Sequence, residues 1–303
     1  MRHLLDTRSL SLAQLQDLLE TARVIETGWP SARLQDSLRD RLLINMFYEA
    51  STRTRISFEV AAKRLGMQVV NFATTGSSAE KGETLVDTFL TLQAMAPDIL
   101  VGRHSDNGAI TDLAQYADEG VHIVCAGEGT RSHPSQALID AYTIQKIKGS
   151  VKGLKIVIAG DILHSRVAAS NIELLAKLGA AEIRLCGPTA WLPRGSLPGQ
   201  AGIYETLEEA VLGADVIMML RIQHERIRQT GELDLADYTR NWCLNSWAAN
   251  LASDNHVVMH PGPINRGVEI TDTVADGPRS AIRQQIANGV FVRMAIISTL
   301  LNQ

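Results

Sequence analysis

Apolar and polar positions along the chain fall into two alternating kinds of block. Short unbroken apolar runs have the length of buried strands, and longer stretches with apolar residues three and four apart have the period of amphipathic helices. Ser11-Leu12-Ala13-Gln14 has the spacing of a capping box, and Leu12, Leu15, Leu19 and Ala22 share one face of the helix it opens. A strand is predicted over Leu42–Phe47, then a helix with Phe58, Ala61, Ala62 and Leu65 on its apolar side and Gly66 at its end. A second strand, Gln68–Phe72, leads into a polar loop of small residues from Ala73 to Lys81. The next helix carries Leu85, Phe89, Leu92 and Met95, and Pro97 precedes a strand over Asp98–Gly102. A helix near Ile110–Ala117, a strand over Val121–Cys125 and a helix from Ala137 to about Lys148 complete this series.

A second series begins after Gly149-Ser150. Its predicted strands are Leu154–Ala159, Glu182–Cys186, Asp215–Leu220 and Val257–Met259. Helical patterns lie between them at Ala168–Leu178, Leu207–Leu212 and Leu235–Trp247, and a last helix runs from Ser280 to about Leu301. Strands that alternate with helices and are apolar throughout indicate parallel sheets covered on both faces. Four strands precede the middle of the chain and four follow it. The expectation is two doubly wound α/β domains, residues 1–140 and 141–284, with the helix at about 285–303 packing back on the first and an active site in the cleft between them.

Composition narrows the class. The 303 residues carry a net charge of −4 and are 45% hydrophobic, with no basic face to suggest nucleic acid as a partner. No apolar stretch has membrane-spanning length, and the N-terminus has no apolar signal core. Cys125, Cys186 and Cys243 are odd in number and widely spaced, and the first two lie in strand-like runs, so reduced buried thiols in a cytoplasmic protein are expected.

The candidate chemistry lies just after the predicted strands, where open parallel sheets bind ligands. Ser51-Thr52-Arg53-Thr54-Arg55 stands where the first strand hands over to a helix. Free backbone N–H groups and the helix dipole converge there, and Arg can grip phosphate oxygens with two parallel bonds. The same residues also suit a Ser N-cap followed by solvated arginines. Arg103 and His104 follow the third strand, Arg103 being either an ion-pair partner or a ligand. His133 and Gln136, one turn apart, supply groups able to polarise a carbonyl; a buried, hydrogen-bonded His133 is the alternative. In the second half the residues are Asp161 to Arg166, then Arg221 and Gln223, then His260 to Arg266. Arg166 opposes the dipole of the helix it opens, which a ligand's carboxylate or a nearby Glu or Asp would offset. His260-Pro261-Gly262-Pro263 is a tight turn, either presenting carbonyls to an amide or forming a rigid corner. Together these arginines suit a substrate, or substrates, with several negative charges.

No Gly-x-Gly-x-x-Gly follows a predicted strand, and no Walker lysine motif, HExxH, CxxC or nucleophile elbow is present. What is left is catalysis by positioning and charge stabilisation, with no metal, cofactor or covalent intermediate expected.

These motifs resemble those of the aspartate/ornithine carbamoyltransferase family nearly end to end. Ser51–Arg55 resembles its carbamoyl-phosphate motif, His133-Pro134-Ser135-Gln136 its second motif, and Arg103 the arginine beyond its third strand. Lys81-Gly82-Glu83-Thr84 is similar to a loop that enters the adjacent subunit's site, with Glu80 where some relatives carry a second lysine. Arg221-Ile222-Gln223 and His260–Gly267 resemble the aspartate branch, and the Cys-Leu-Pro turn of the ornithine branch is missing. The resemblance implies that Ser51, Thr52, Arg53, Thr54 and Arg103, with Ser77 and Lys81 from a neighbour, hold the phosphate of carbamoyl phosphate. Thr54, Arg103 and His133 would meet its carbonyl oxygen, with Arg53, Thr54, Arg103 and His133 counted as catalytic. Gln136 and the backbone at Gly262 and Pro263 would hold its NH2. Arg166, Arg221, Gln223 and a neighbour's Lys81 would hold L-aspartate. A homotrimer with shared sites follows, and regulatory or dihydroorotase-type partner chains stay open. A carbamoyltransferase for another amino acid and a catalytically silent binding subunit are the rival readings.

Overall fold

The computed structural model describes residues 1–72, 82–222 and 234–301. The chain divides into two compact units, one made of Met1–Tyr142 with the chain from Ala287 onward, the other of Thr143–Ile286.

The first unit opens with α1 (Leu12–Gly28) and the short α2 (Ala32–Gln35). It continues through β1 (Leu42–Phe47), α3 (Thr52–Arg64), β2 (Gln68–Phe72), α4 (Leu85–Gln93), β3 (Ile99–His104), β4 (His122–Glu128) and α5 (Pro134–Lys148). The sheet has the order β2-β1-β3-β4 and every pairing is parallel. β1 and β3 lie inside it and are buried almost throughout, as uninterrupted apolar runs require. β2 is an edge strand, and its Val70 is exposed. Ile44, Met46, Phe89, Leu100 and Ile123 form the centre of a core beneath the sheet.

The helix expected near 110–117 is a 3-10 turn, Asp112–Tyr116. The carboxylate of Glu128 shapes its entrance, accepting from the backbone N–H groups of Ile110 and Thr111 at 3.0 Å each and from the Thr111 hydroxyl at 2.7 Å. β3 extends past its predicted end to include Arg103 and His104, so these residues belong to the sheet's rim.

The second unit contains β5 (Lys155–Ala159), α6 (Arg166–Lys177), β6 (Glu182–Cys186), β7 (Ala201–Tyr204), α7 (Leu207–Val211) and β8 (Val216–Met219). After these come α8 (Leu235–Trp242), α9 (Ser246–Ala249), β9 (Val257–Met259) and α10 (Asp272–Ala275), and then α11 (Ile282–Leu301), which from Ala287 onward belongs to the first unit. The sheet is parallel, in the order β7-β6-β5-β8-β9. The expected four strands are therefore five. The extra edge strand β7 is short, contains Ala201 and Gly202, and exposes Ile203, so it carries no apolar run. The helix expected over Leu235–Trp247 is two helices. Cys243 turns to extended backbone, and the Asn245 side chain accepts from Ala248 N–H to start the second. All three cysteines are free and buried. Among the described residues no helix is long and apolar enough to cross a membrane.

Candidate functional site

In the first unit the carboxyl ends of β1, β3 and β4 gather the sequence-predicted groups on one rim. Phe47 is the register partner of Arg103, and Tyr48 N–H donates to Arg103 O at 2.9 Å. His104 pairs with Glu128, and Glu128 in turn bridges Ser132, the residue before His133. The end of β1 passes into α3 at Ser51, which takes the extended N-cap conformation. Its hydroxyl does not cap the helix and donates instead to Thr54 Oγ1 at 3.0 Å. The first turn of α3 holds no acidic residue, so nothing of this helix's own neutralises the positive end of its dipole. Thr52 and Arg53 are exposed there, and Thr54 is buried. That arrangement favours an anion arriving from solvent.

Arg103 is buried, 9% exposed, and is held on two sides. Its Nη2 donates to Glu49 Oε1 at 2.8 Å and its Nη1 to Ala126 O at 3.1 Å. Glu49 was not singled out from sequence, although a carboxylate two residues before the Ser-Thr-Arg run was the available signal. His133 is buried at the mouth of α5, and its carbonyl accepts from Gln136 N–H at 3.0 Å. The Gln136 side chain donates from Nε2 to Asp140 Oδ1 at 2.8 Å.

In the second unit β5, β8 and β9 are neighbours in the sheet, and their carboxyl ends carry the remaining described groups. Arg166 is the first residue of α6, half-buried, behind the N-cap Ser165, whose side chain accepts from Ala168 N–H at 3.1 Å. The buried Asp161 ties the preceding loop, accepting from His164 N–H at 3.2 Å and lying 2.9 Å from His164 Nδ1. Arg221 follows β8, and its buried Nε has no hydrogen-bond partner among the described residues. The loop at Arg221-Ile222 is joined to the turn after β9 by Asn265 Nδ2, which donates to Ile222 O at 2.8 Å.

That turn rests on a buried pair. Gly262 N–H donates to His260 Nδ1 at 2.8 Å, which makes Nδ1 the acceptor and leaves the proton on Nε2. Nε2 then faces Glu269 Oε1 at 3.2 Å, and the same oxygen accepts from Asn265 N–H at 2.6 Å. Gly262 is half-buried, has a φ of 67° and is followed by an exposed Pro263. Arg266, grouped with these residues in the sequence, serves another purpose. Its guanidinium donates to Asp272 at 2.6 Å and to Asp276 at 2.7 Å on the surface.

Ser77, Lys81 and Gln223 lie outside the described residues. Among the described residues no cluster of three or more His, Cys, Asp or Glu is arranged to hold a metal ion. Burial pushes the Cys186 thiol up to about 12, and burial followed by Glu269 pushes Cys243 up to about 11, so neither is a ready nucleophile.

The comparisons with known proteins cover both units. Residues 2–146 match the family model described as aspartate/ornithine carbamoyltransferase, carbamoyl-P binding domain. Residues 152–300 match its Asp/Orn binding domain. An aspartate carbamoyltransferase catalytic subunit of Beijerinckia indica is 48% identical over 300 residues, covering 99% of this chain and 94% of that one. Its counterpart in a Chelativorans species is 49% identical over 304 residues, covering 99% and 93%. Among solved structures, Trypanosoma cruzi aspartate transcarbamoylase in complex with N-(phosphonacetyl)-L-aspartic acid is 31% identical, with a TM-score of 0.88 over 99% of this chain and 96% of that one. The Pyrococcus furiosus ornithine carbamoyltransferase is 28% identical, also with a TM-score of 0.88, over 99% and 97%.

Proposed function

The chain belongs to the aspartate/ornithine carbamoyltransferase family, and from that membership we propose that it transfers the carbamoyl group of carbamoyl phosphate to the amine of L-aspartate. The products are N-carbamoyl-L-aspartate and phosphate, and the reaction is an early step of pyrimidine biosynthesis. One observation carries the donor half: the N-terminus of α3, with no acidic residue in its first turn, stands on the same sheet rim as Arg103 and His133.

In this reading Ser51, Thr52, Arg53, Thr54 and Arg103 hold the phosphate. Glu49 and the Ala126 carbonyl fix the Arg103 guanidinium, so its orientation is set before substrate arrives. Thr54, Arg103 and His133 donate to the carbamoyl oxygen as negative charge grows on it. Gln136 and the backbone at Gly262 and Pro263 hold the carbamoyl NH2. Arg166 takes one carboxylate of aspartate, and Arg221 with Gln223 takes the other. The neutral amine attacks the carbonyl carbon, a C–N bond forms, the C–O bond to phosphate breaks, and the departing phosphate accepts the amine's proton. No protein base is then required. Residues 1–140 with the terminal helix serve carbamoyl phosphate, and residues 141–284 serve aspartate. Ser77 and Lys81 act in the site of an adjacent subunit of a cytoplasmic homotrimer, and the name "catalytic subunit" of the relatives is in keeping with an assembly.

The experiment is Arg53→Ala, assayed for carbamoyl aspartate with aspartate, ornithine and N-acetylornithine as acceptors. The wild type should use aspartate alone. The variant should lose about 100-fold or more in kcat, the scale of removing one charged donor from the phosphate as charge builds on it in leaving, with an unchanged circular dichroism spectrum. Near-normal turnover by the variant, or a wild type that prefers ornithine, would overturn the reading.

A further inference from the structure

Asp140 lies on α5, one helical turn beyond Gln136, and is completely buried. A buried carboxylate needs a compensating charge. The charge of Arg293, on α11, acts on that of Asp140. Burial draws the Arg293 guanidinium down to about 9, and Asp140 works against that fall. Arg293 is anchored through Nη1 and its ring contact, while its buried Nε has no hydrogen-bond partner among the described residues. Its Nη1 donates to Ser57 Oγ at 2.9 Å and to Gly289 O at 3.2 Å, and its guanidinium lies 4.9 Å from the Phe58 ring centre. Ser57 and Phe58 belong to α3, whose N-terminus is the proposed phosphate cradle. The contacts of Arg293 thus join the cradle helix to the chain's last helix, and its charge acts on Asp140, which lies on the helix of His133 and Gln136.

The chemistry of the Gln136 contact follows from its partner. An ionised carboxylate has lone pairs and no proton, so only the NH2 end of the Gln136 amide can face Asp140. The 2.8 Å bond from Nε2 to Asp140 Oδ1 is that arrangement. It turns the amide oxygen away from Asp140, and Gln136 is half-buried. We propose that Asp140 is a positioning residue for the carbamoyl group: it holds Gln136 in the one flip that offers an acceptor to the donor substrate's NH2. This rests on the assignment of Gln136 to the carbamoyl NH2. It adds a reason why a carbamoyl donor is chosen over an acyl donor of the same shape, because a methyl group in place of NH2 has nothing to give the amide oxygen.

The test uses the full-length enzyme with carbamoyl phosphate and acetyl phosphate, which differ by that one group. Asp140→Asn is nearly isosteric but has both a donor and an acceptor, so it permits either amide flip. Its Kd for carbamoyl phosphate should rise about twofold, because the competent flip is then only about half populated, and kcat/KM should fall in parallel. Its Kd for acetyl phosphate should not change, since the methyl group makes no such bond. Placed on top of Gln136→Ala, the same substitution should change neither Kd further. Where Asp140→Asn fails to fold, Asp140→Ala gives the same readout, because the Gln136 amide then has no carboxylate to fix its flip. Equal losses for both ligands would mark Asp140 as merely structural, and an unchanged preference would equally overturn the proposal. A wild type that does not carbamoylate aspartate would sink the functional reading together with it.

Discussion

His3 shows how a single residue ties stability to pH. The backbone N–H of Ile123 donates to His3 Nδ1 at 3.0 Å, a bond that needs that nitrogen unprotonated. Burial first, then Arg2 and His122, lower the pKa from 6.5 to about 4. The unfolded chain therefore binds a proton at pH values where the folded chain refuses it. The stabilising effect of neutral His3 is complete above about pH 6.5 and is lost as pH falls from there towards 4. Urea unfolding at pH 7, 5.5 and 4.5 should show the midpoint dropping across that window. His3→Gln should flatten the drop by no more than about 1 kcal/mol, because the ring is partly solvated. Neighbours decide the arginines in the same way. Arg53, Arg103 and Arg266 look alike by their places after strands. Glu49 and a sheet carbonyl direct Arg103 at the rim, and Asp272 and Asp276 occupy Arg266.

Two serines at helix starts separate structural from functional use at the scale of the element. Ser11 caps α1 reciprocally: its Oγ accepts from Gln14 N–H at 3.2 Å, and Gln14 Oε1 accepts from Ser11 N–H at 2.9 Å. Ser51 occupies the same position on α3 and makes no such bond. Ser11→Ala should cost about 1 kcal/mol of stability with turnover untouched. Ser51→Ala should cost well under that figure while raising KM for carbamoyl phosphate, as chemical denaturation and steady-state kinetics would show. The reverse pattern would return Ser51 to the role of an ordinary cap. Capping boxes and interior strands were legible because they are local patterns. β7 was not, since an edge strand with one solvated face needs no apolar run. The break between α8 and α9 escaped because Leu244 and the alanines beyond it keep the apolar pattern going. Leu244 instead bridges Ile270 in extended backbone.

At the scale of the whole molecule, the proposed sharing of sites between subunits has a direct test. Inactive Lys81→Ala and inactive His133→Ala chains, mixed under conditions that exchange subunits, should recover measurable activity, because some hybrid sites receive both native residues. No recovery after exchange has been verified by mass would leave each subunit working alone. The sequence by itself determined the class of the fold and the kind of chemistry. Parallel strands covered on both faces must be apolar along their length, and binding groups follow their carboxyl ends, so both can be read from order along the chain. Only the tertiary structure decided which polar group answers which. Glu49 lies 54 residues from Arg103 in sequence, and Ser57 lies 236 from Arg293. Such pairs are set by strand register and helix packing, and no local spacing records them.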